Sequence, residues 1–204
     1  MDWVPLQNTA KGKGQLAFAM RQDQTPAMTQ PGPWGTSTSG YCLGLVAAWI
    51  SYAYAGKNFP MDASKVCDNP PWQATWGQTL SETTNAKNWV DQWVSGISPF
   101  QMGVSDGLRE RRNSNPTGSF LHSMAIKAYG CYAVTLVRNG GAHALGLRHG
   151  RDNRMHLFDP NYGHFVLHDH TLLKAFIVWY LGVTGYGARY DVATCVIGIR
   201  PPIE

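Results

Sequence analysis

The 204-residue sequence is low in charge, has few cysteines, and contains no apolar run long enough to cross a bilayer. Charged residues make up 15% and hydrophobic residues 44% of the chain, which excludes a wholly disordered protein. Four cysteines are too few for a disulfide-built scaffold, so we expect reduced thiols. A membrane-spanning helix needs about 20 apolar residues. The longest apolar runs, near 42–55 and 172–183, are shorter, so we expect no membrane span.

A basic stripe and a secretory signal are also missing. The net charge is +4, and the lysines and arginines are scattered apart from Arg109, Arg111 and Arg112. Nucleic acid is therefore not an expected partner. The arginine cluster is interpreted either as a solvated loop or as a patch that attracts an acidic partner. The first residues include no apolar signal region, and we expect synthesis in a cytosol.

Glycine, proline and tryptophan are plentiful, with 22, 12 and 8 residues respectively. They indicate a loop-rich fold with aromatic anchors. Residues 1–35 are polar and rich in turn residues, so they are predicted to form an irregular arm or pro-segment. Residues 36–204 are predicted to form one folded domain.

The first half of the chain reads as mainly helical. Apolar residues at helical spacing predict a buried helix over 41–55, capped by Ser39 and ended by Gly56. Further helices are predicted near the tryptophan pairs 72/76 and 89/93, where core packing is the favoured interpretation. The stretch 95–118 is interpreted as a loop, and 120–128 as a short helix.

In the second half of the chain, the residue pattern changes from that of helices to that of β-strands. Strands are predicted over 131–137, 142–149, 154–158, 164–167 and 190–199, with one helix over 171–181 opened by Asp169 or His170. The predicted fold class is therefore α+β, with a helical N-terminal half packed on an antiparallel sheet.

Cys42 stands at the predicted start of the first helix, after a run of Thr, Ser and Gly. Free N–H groups and the partial positive charge of a helix N-terminus favour a thiolate. The same N–H groups can hold an oxyanion. Alone, Cys42 is better interpreted as a buried structural cysteine, as we also interpret Cys131 and Cys195.

His143 and Asp159 change that interpretation. A turn centred near Arg151 and Asp152 predicts a hairpin in which His143 lies opposite Asp159, within one residue of register. Leu145 would then face Leu157, and Leu147 would face Met155. A carboxylate beside an imidazole orients the ring and fixes its tautomer. Cys42, His143 and Asp159 together form the pattern of an activated cysteine nucleophile with no metal and no cofactor.

These motifs resemble the YopT/AvrPphB-type cysteine proteases of the papain-like clan. The resemblance rests on Gly40-Tyr-Cys42, Gly141-Ala-His143-Ala and the block 158–163, Phe-Asp-Pro-Asn-Tyr-Gly. It implies a papain-like core with Cys42 as nucleophile, His143 as general base and Asp159 as orienting acid. It also implies a bacterial effector that is made in the cytoplasm, exported by a specialised system, and cleaves a protein in a target cell. A cognate inhibitor or immunity protein is a further candidate partner.

The oxyanion site departs from the papain pattern. Papain-like enzymes often place a glutamine six residues before the cysteine, and here that position is Thr36. Thr36 and Ser39 are therefore candidate donors, with Gly141 and Ala142 as further candidates for contacting the substrate.

Other chemistries stay open at this point. A thiol amidase acting on peptidoglycan peptide or on protein glutamine would use the same Cys-His-Asp apparatus, and so would an acyltransferase. A binding module with a degenerate site is a non-enzymatic alternative. His164, His168 and His170 would share one face of an extended segment and could hold zinc, although a polar strand face is the favoured interpretation.

Overall fold

A computed structural model describes residues 15–22, 41–57, 59, 78 and 88–202. Within them lie five helices and seven strands. The helices are α1 (Cys42–Tyr54), α2 (Trp89–Ile97), α3 (Gly118–Ala125), α4 (His170–Val183) and α5 (Tyr186–Arg189), and a single 3₁₀ turn, Ser98–Phe100, follows α2. The strands are β1 (Leu16–Ala19), β2 (Gly103–Arg112), β3 (Gly130–Arg138), β4 (Gly141–His149), β5 (Met155–Asp159), β6 (Gly163–Leu167) and β7 (Ala193–Arg200).

The strands form one sheet in the order β1-β6-β5-β4-β3-β7-β2, and each neighbouring pair is antiparallel. Helix α1 packs on one face, where its residues join a core with Phe158 of β5 and Ile197 of β7. Helices α3 and α4 cover the other face and share a core with Leu136, Leu147 and neighbouring residues. The α+β class with a helix-covered antiparallel sheet is confirmed.

Helix α1 lies close to the sheet because a glycine faces its tryptophan. A Cβ atom built at Gly146 of β4 would stand 2.7 Å from two ring carbons of Trp49 and 3.5 Å from Val46. Trp49 also stacks on Phe158, with ring centroids 5.4 Å apart. Cys42, Val46 and Trp49 recur at helical spacing and so share one side of α1. The contact at Gly146 therefore fixes the side of the helix that carries Cys42.

Two strands lie where the sequence predicted irregular chain. Strand β2 occupies part of the stretch interpreted as a loop, and β1 lies inside the predicted N-terminal arm. The loop interpretation of 95–118 is wrong because β2 is an edge strand whose polar side chains are largely exposed. Such a strand lacks the apolar alternation that identifies a half-buried one. Arg109, Arg111 and Arg112 accordingly lie on a strand, not in a loop.

The predicted hairpin register is also wrong, by two residues. Strands β4 and β5 pair Leu147 with Leu157 and His149 with Met155. The predicted partners were Leu145 with Leu157 and Leu147 with Met155. Because side chains alternate along a strand, a shift of two leaves every side chain on its predicted face. His143 and Asp159 therefore still share a face.

The remaining boundaries lie close to the predictions, but several predicted features fall outside the described residues. The helix over 41–55 is observed as α1, and the helix opened by Asp169 is observed as α4, with Asp169 accepting from the N–H groups of Thr171 and Leu172. Outside the described residues lie the tryptophan pair 72/76 and the candidate donors Thr36 and Ser39. No helix among the described residues is long and apolar enough to cross a membrane.

Candidate active site

His143 and Asp159 lie at one end of the sheet and form a buried polar pair. Nε2 of His143 lies 2.9 Å from Oδ1 of Asp159. His143 is 3% exposed and Asp159 is fully buried. The two side chains meet although the paired part of β4 and β5 ends at Gly146 and Phe158. Nε2 is thus held by the carboxylate, which leaves Nδ1 as the ring nitrogen for another partner.

That other partner is Cys42, the first residue of α1. The Cys42 side chain lies near enough to His143 to be one of the groups that raise the pKa of the imidazole, and Cys42 is 8% exposed. The structure therefore brings together the three residues that the sequence singled out. Helix α1 carries the sulfur, the start of β4 carries the imidazole, and the end of β5 carries the carboxylate.

The surroundings of His143 favour its protonated form. Burial alone would lower the pKa of the imidazole, but the charge of Asp159 and hydrogen bonds to Asp159 and Cys42 raise the pKa to about 10. A cation is therefore held at His143 at neutral pH. A cationic ring beside a thiol is the arrangement that stabilises a thiolate.

Asp159 is held by two further donors. Oδ1 also accepts from the backbone N–H of Asn161 at 2.7 Å, and Oδ2 accepts from the Tyr180 hydroxyl. Burial, together with the Asp159 charge, raises the pKa of Tyr180 well above its usual value, so this hydroxyl stays a donor. Three donors on a buried carboxylate keep it in a fixed orientation.

Two further residues of the block 158–163, Asn161 and Gly163, have structural roles of their own. Asn161 turns back onto Asp159, and its Nδ2 donates to the Tyr186 hydroxyl at 3.0 Å. Gly163 has φ +127°, and a Cβ there would stand 2.2 Å from the carbonyl oxygen of Phe18 in β1. The glycine is thus needed both for the backbone angle and for the approach of β1.

Two distant glutamines organise the start of α1. Oε1 of Gln78 accepts from the N–H groups of Leu43 and Gly44 at 3.1 and 3.2 Å. Gln22, just after β1, accepts from the N–H of Tyr41 and donates to Oδ1 of Asn161. Tyr41, at the N-cap position, makes no side-chain cap of its own. Long-range contacts therefore satisfy N–H groups at the start of the helix that carries Cys42, whereas Ser39, the predicted cap, lies outside the described residues.

No local sequence pattern indicates these glutamines or Tyr180, because all three contact residues that are distant in the chain. Glutamines do lie beside the cysteine helix, but they come from positions 22 and 78, whereas position 36 is Thr36. The other predicted substrate-contacting residues, Gly141 and Ala142, are exposed at the start of β4, next to His143.

The histidines proposed as an alternative zinc site are engaged elsewhere. His164 is hydrogen-bonded to His156 at 2.9 Å, while His170 stacks on His122, with ring centroids 6.2 Å apart. Within the described ranges, no group of three His, Cys, Asp or Glu side chains is placed to hold a metal ion.

Replacing Tyr180 with Phe tests the support of the carboxylate. We expect the free energy of unfolding to fall by about 1–2 kcal/mol, because a buried hydrogen bond to a charged group is lost. Chemical denaturation would measure the change. The matched control is Tyr129→Phe, since Tyr129 is 61% exposed and its loss should stay within about 0.5 kcal/mol. Equal effects of the two substitutions would contradict the role given to Tyr180.

The His156–His164 pair predicts a loss of stability in acid. Burial, and the charge of Arg148 nearby, lower the pKa of His156 to about 4, although Asp152 opposes the shift and Arg154 adds to it. Burial, then the charges of His156 and Arg148, lower the pKa of His164 to about 3. Both rings are neutral in the fold, whereas in the unfolded chain they titrate near 6.5. The unfolded chain therefore binds more protons below this pH, and stability falls as the pH drops from about 6.5 towards 4.

The measurement is the free energy of unfolding across that pH window for the wild type and for His164→Phe. An aromatic ring is retained beside Trp49 and Phe18, which both pack against His164. We expect a shallower decline in the variant. The control His168→Gln replaces an exposed histidine and should keep the wild-type slope; an unchanged slope in His164→Phe would refute the assignment.

The chain matches no family model and no curated protein. Among solved structures it is similar to the crystal structure of the Pseudomonas avirulence protein AvrPphB, with a TM-score of 0.60. The match covers 92% of this chain and 97% of AvrPphB at 13% sequence identity. The chain therefore has the papain-like fold of AvrPphB. AvrPphB also gives its name to the YopT/AvrPphB-type family, which the sequence motifs resemble.

Proposed function

We propose that the protein is a cysteine endopeptidase that cleaves a protein substrate, with Cys42 as nucleophile, His143 as general base and acid, and Asp159 as the group that orients His143. One observation carries the proposal. A buried imidazole is hydrogen-bonded to a carboxylate and lies close enough to a thiol at the first residue of a helix for that thiol to raise the pKa of the ring. The likeness to AvrPphB supports the fold on which this arrangement is built.

The mechanism follows from these contacts. The thiolate of Cys42 attacks the carbonyl carbon of the scissile amide, and the carbonyl oxygen takes up the negative charge. The N–H of Cys42, at the start of α1, is the proposed donor to that oxyanion. His143 gives its proton to the departing amine nitrogen, which leaves a thioester. Neutral His143 then takes a proton from water, whose oxygen attacks the thioester and releases the acid and the thiol.

The effector role is part of the same proposal. A protein made in a bacterial cytoplasm and delivered into a target cell would meet its substrate in that cell. The producing cell would be protected because the enzyme is exported or because an immunity protein inhibits it. The motif resemblance and the fold shared with an avirulence protein support this role.

The test is a proteome-wide search for new protein N-termini. Target-cell lysates would be incubated with the wild-type chain and, in parallel, with Cys42→Ala. We expect a small set of new N-termini that share a local sequence and are absent with the variant. Finding none, while glutamine side chains or peptidoglycan peptides are hydrolysed in a Cys42-dependent way, would replace the endopeptidase with a thiol amidase.

A further inference from the structure

A cleft lies at the end of the sheet away from His143. It is bounded by the C-terminal end of α1, the beginning of β3 and the ends of β4 and β7, and its volume is about 790 Å³. Cys42 and Tyr54 mark the two ends of α1. A rise of 1.5 Å per residue puts them about 18 Å apart. The cleft is therefore separate from the catalytic constellation but lies on the same structural elements.

The lining of this cleft carries positive charge without negative charge. It includes Arg148, Arg151 and Arg200, and no aspartate or glutamate. Within the described part of the chain, none of these three arginines forms an ion pair, whereas Arg109, Arg112 and Arg154 are each paired with a carboxylate. An uncompensated cluster of cations in a concave surface focuses its field and attracts anionic partners.

The same cleft offers apolar and aromatic contacts. The Tyr129 side chain is 61% exposed, and its ring lies 4.5 Å from that of His149. Leu108 and Ile199 also line the cleft. In addition, Nδ1 of His149 is buried and has no hydrogen-bond partner among the described residues. Exposed aromatic rings beside arginines are the side chains most enriched where proteins bind one another.

The spacing of the charges indicates the class of ligand. Cys131 of β3 pairs with Arg148 on one side and with Ile199, the neighbour of Arg200, on the other. Paired residues share a face of the sheet, so Arg148 lies on the same face as Ile199, whereas Arg200, the next residue along β7, points to the opposite face. The arginines line one cleft, but Arg148 and Arg200 reach it from opposite faces of the sheet. A single phosphate is bound by donors that converge on one point, whereas donors separated in this way fit carboxylates repeated along a chain.

We propose that this cleft is an exosite that binds an acidic segment of the protein substrate, with Arg148, Arg151 and Arg200 as ligands for its carboxylates and Tyr129 against its apolar side chains. The role in substrate recognition rests on the proposed function. Binding of an acidic peptide does not, so the two can fail separately.

The first experiment measures peptide binding to the full chain carrying Cys42→Ala. The probe is a fluorescein-labelled peptide rich in glutamate with one phenylalanine, followed by fluorescence anisotropy, and its counterpart has glutamine at every glutamate. We expect binding of the glutamate peptide alone. Arg151→Gln with Arg200→Gln should weaken binding at least about tenfold, because both side chains are exposed and face the cleft. Arg109→Gln with Arg111→Gln removes the same charge elsewhere and should leave binding unchanged.

Several results would overturn the exosite. One is that the two peptides bind equally well. Another is that the control double variant, Arg109→Gln with Arg111→Gln, loses as much affinity for the glutamate peptide as Arg151→Gln with Arg200→Gln. A third is that Arg151→Gln with Arg200→Gln loses no affinity. Inorganic pyrophosphate that competes at lower concentration than the peptide would replace the exosite with a compact phosphate site. Thermal unfolding of each variant checks that the fold is retained.

The second experiment uses a substrate found in the proteome search. The double variant Arg151→Gln with Arg200→Gln should have a KM about tenfold higher and an unchanged kcat, since the cleft is remote from the thiol. An unchanged KM would overturn the role in substrate recognition. Peptide binding without any Cys42-dependent cleavage would leave the cleft as a binding site and overturn the proposed endopeptidase.

Discussion

Cys42→Ala is expected to lower kcat/KM by at least about 10⁴-fold while leaving the fold intact. The nucleophile is removed outright, and loss of one member of a catalytic triad costs several orders of magnitude in rate. The side chain is small and stands at the end of a helix, so its removal opens little space in the core. The measurement is the steady-state cleavage rate on a substrate from the proteome search, with thermal unfolding in parallel.

The matched control is Cys195→Ala. Cys195 is also a buried thiol, but it lies in β7, and burial raises its pKa to about 11. It is therefore an uncharged packing residue at neutral pH, and its loss should leave kcat/KM unchanged. Activity retained in Cys42→Ala, or lost equally in both variants, would refute the role given to Cys42.

Gly146→Ala is expected to destabilise the fold by about 2–3 kcal/mol and to reduce activity as well. The added methyl group would overlap the Trp49 ring at 2.7 Å, and overpacking a close contact typically costs 1–3 kcal/mol. Relief requires α1 to move away from β4. Because Cys42 shares a side of the helix with Trp49, that movement would separate the thiol from His143. Chemical denaturation and the cleavage rate measure the two effects.

Gly182→Ala makes the same chemical change as Gly146→Ala, but we expect it to have the opposite effect on stability. Gly182 lies in α4, is exposed, and has nothing within 4 Å of a Cβ atom. Alanine there should stabilise the chain by about 0.5–1 kcal/mol, because it restricts the unfolded backbone and favours helix. If Gly146→Ala were as well tolerated as Gly182→Ala, the contact with Trp49 would not be what seats the helix.

Much of the fold could be predicted from local pattern. The central strands β3 and β4 and the helices α1 and α4 have strong apolar periodicity, and each was predicted within about three residues of its bounds. The two edge strands, β1 and β2, were not predicted. Strand β2 is polar, and its pairing with β7 shifts register between Val104 and Arg109. Strand β1 has four residues and is held by pairing with β6, a partner distant in sequence.

The candidate site was predictable only in part, for a similar reason. Cys42, His143 and Asp159 each carry a local signal, which is a helix start, a strand after glycines and a turn motif. The residues that support them do not. Gln78 is 34 residues or more from the N–H groups that it accepts from, and Tyr180 is 21 residues from Asp159. Contacts of this kind depend on how the helices pack, which periodicity does not encode.

The most direct test of the account is the rate at which iodoacetamide alkylates Cys42, mapped by mass spectrometry near pH 5.5 and 7.5. The raised pKa of His143, about 10, predicts that the cation beside the thiol persists at both values. Cys42 should therefore react faster than free cysteine near pH 5.5, and nearly as fast as near pH 7.5. The variant His143→Gln, which keeps a donor for Asp159, should lose the reaction in acid. If wild-type Cys42 reacts no faster than free cysteine near pH 5.5, or if the variant reacts equally fast, the thiolate–imidazolium pair on which the account depends does not exist.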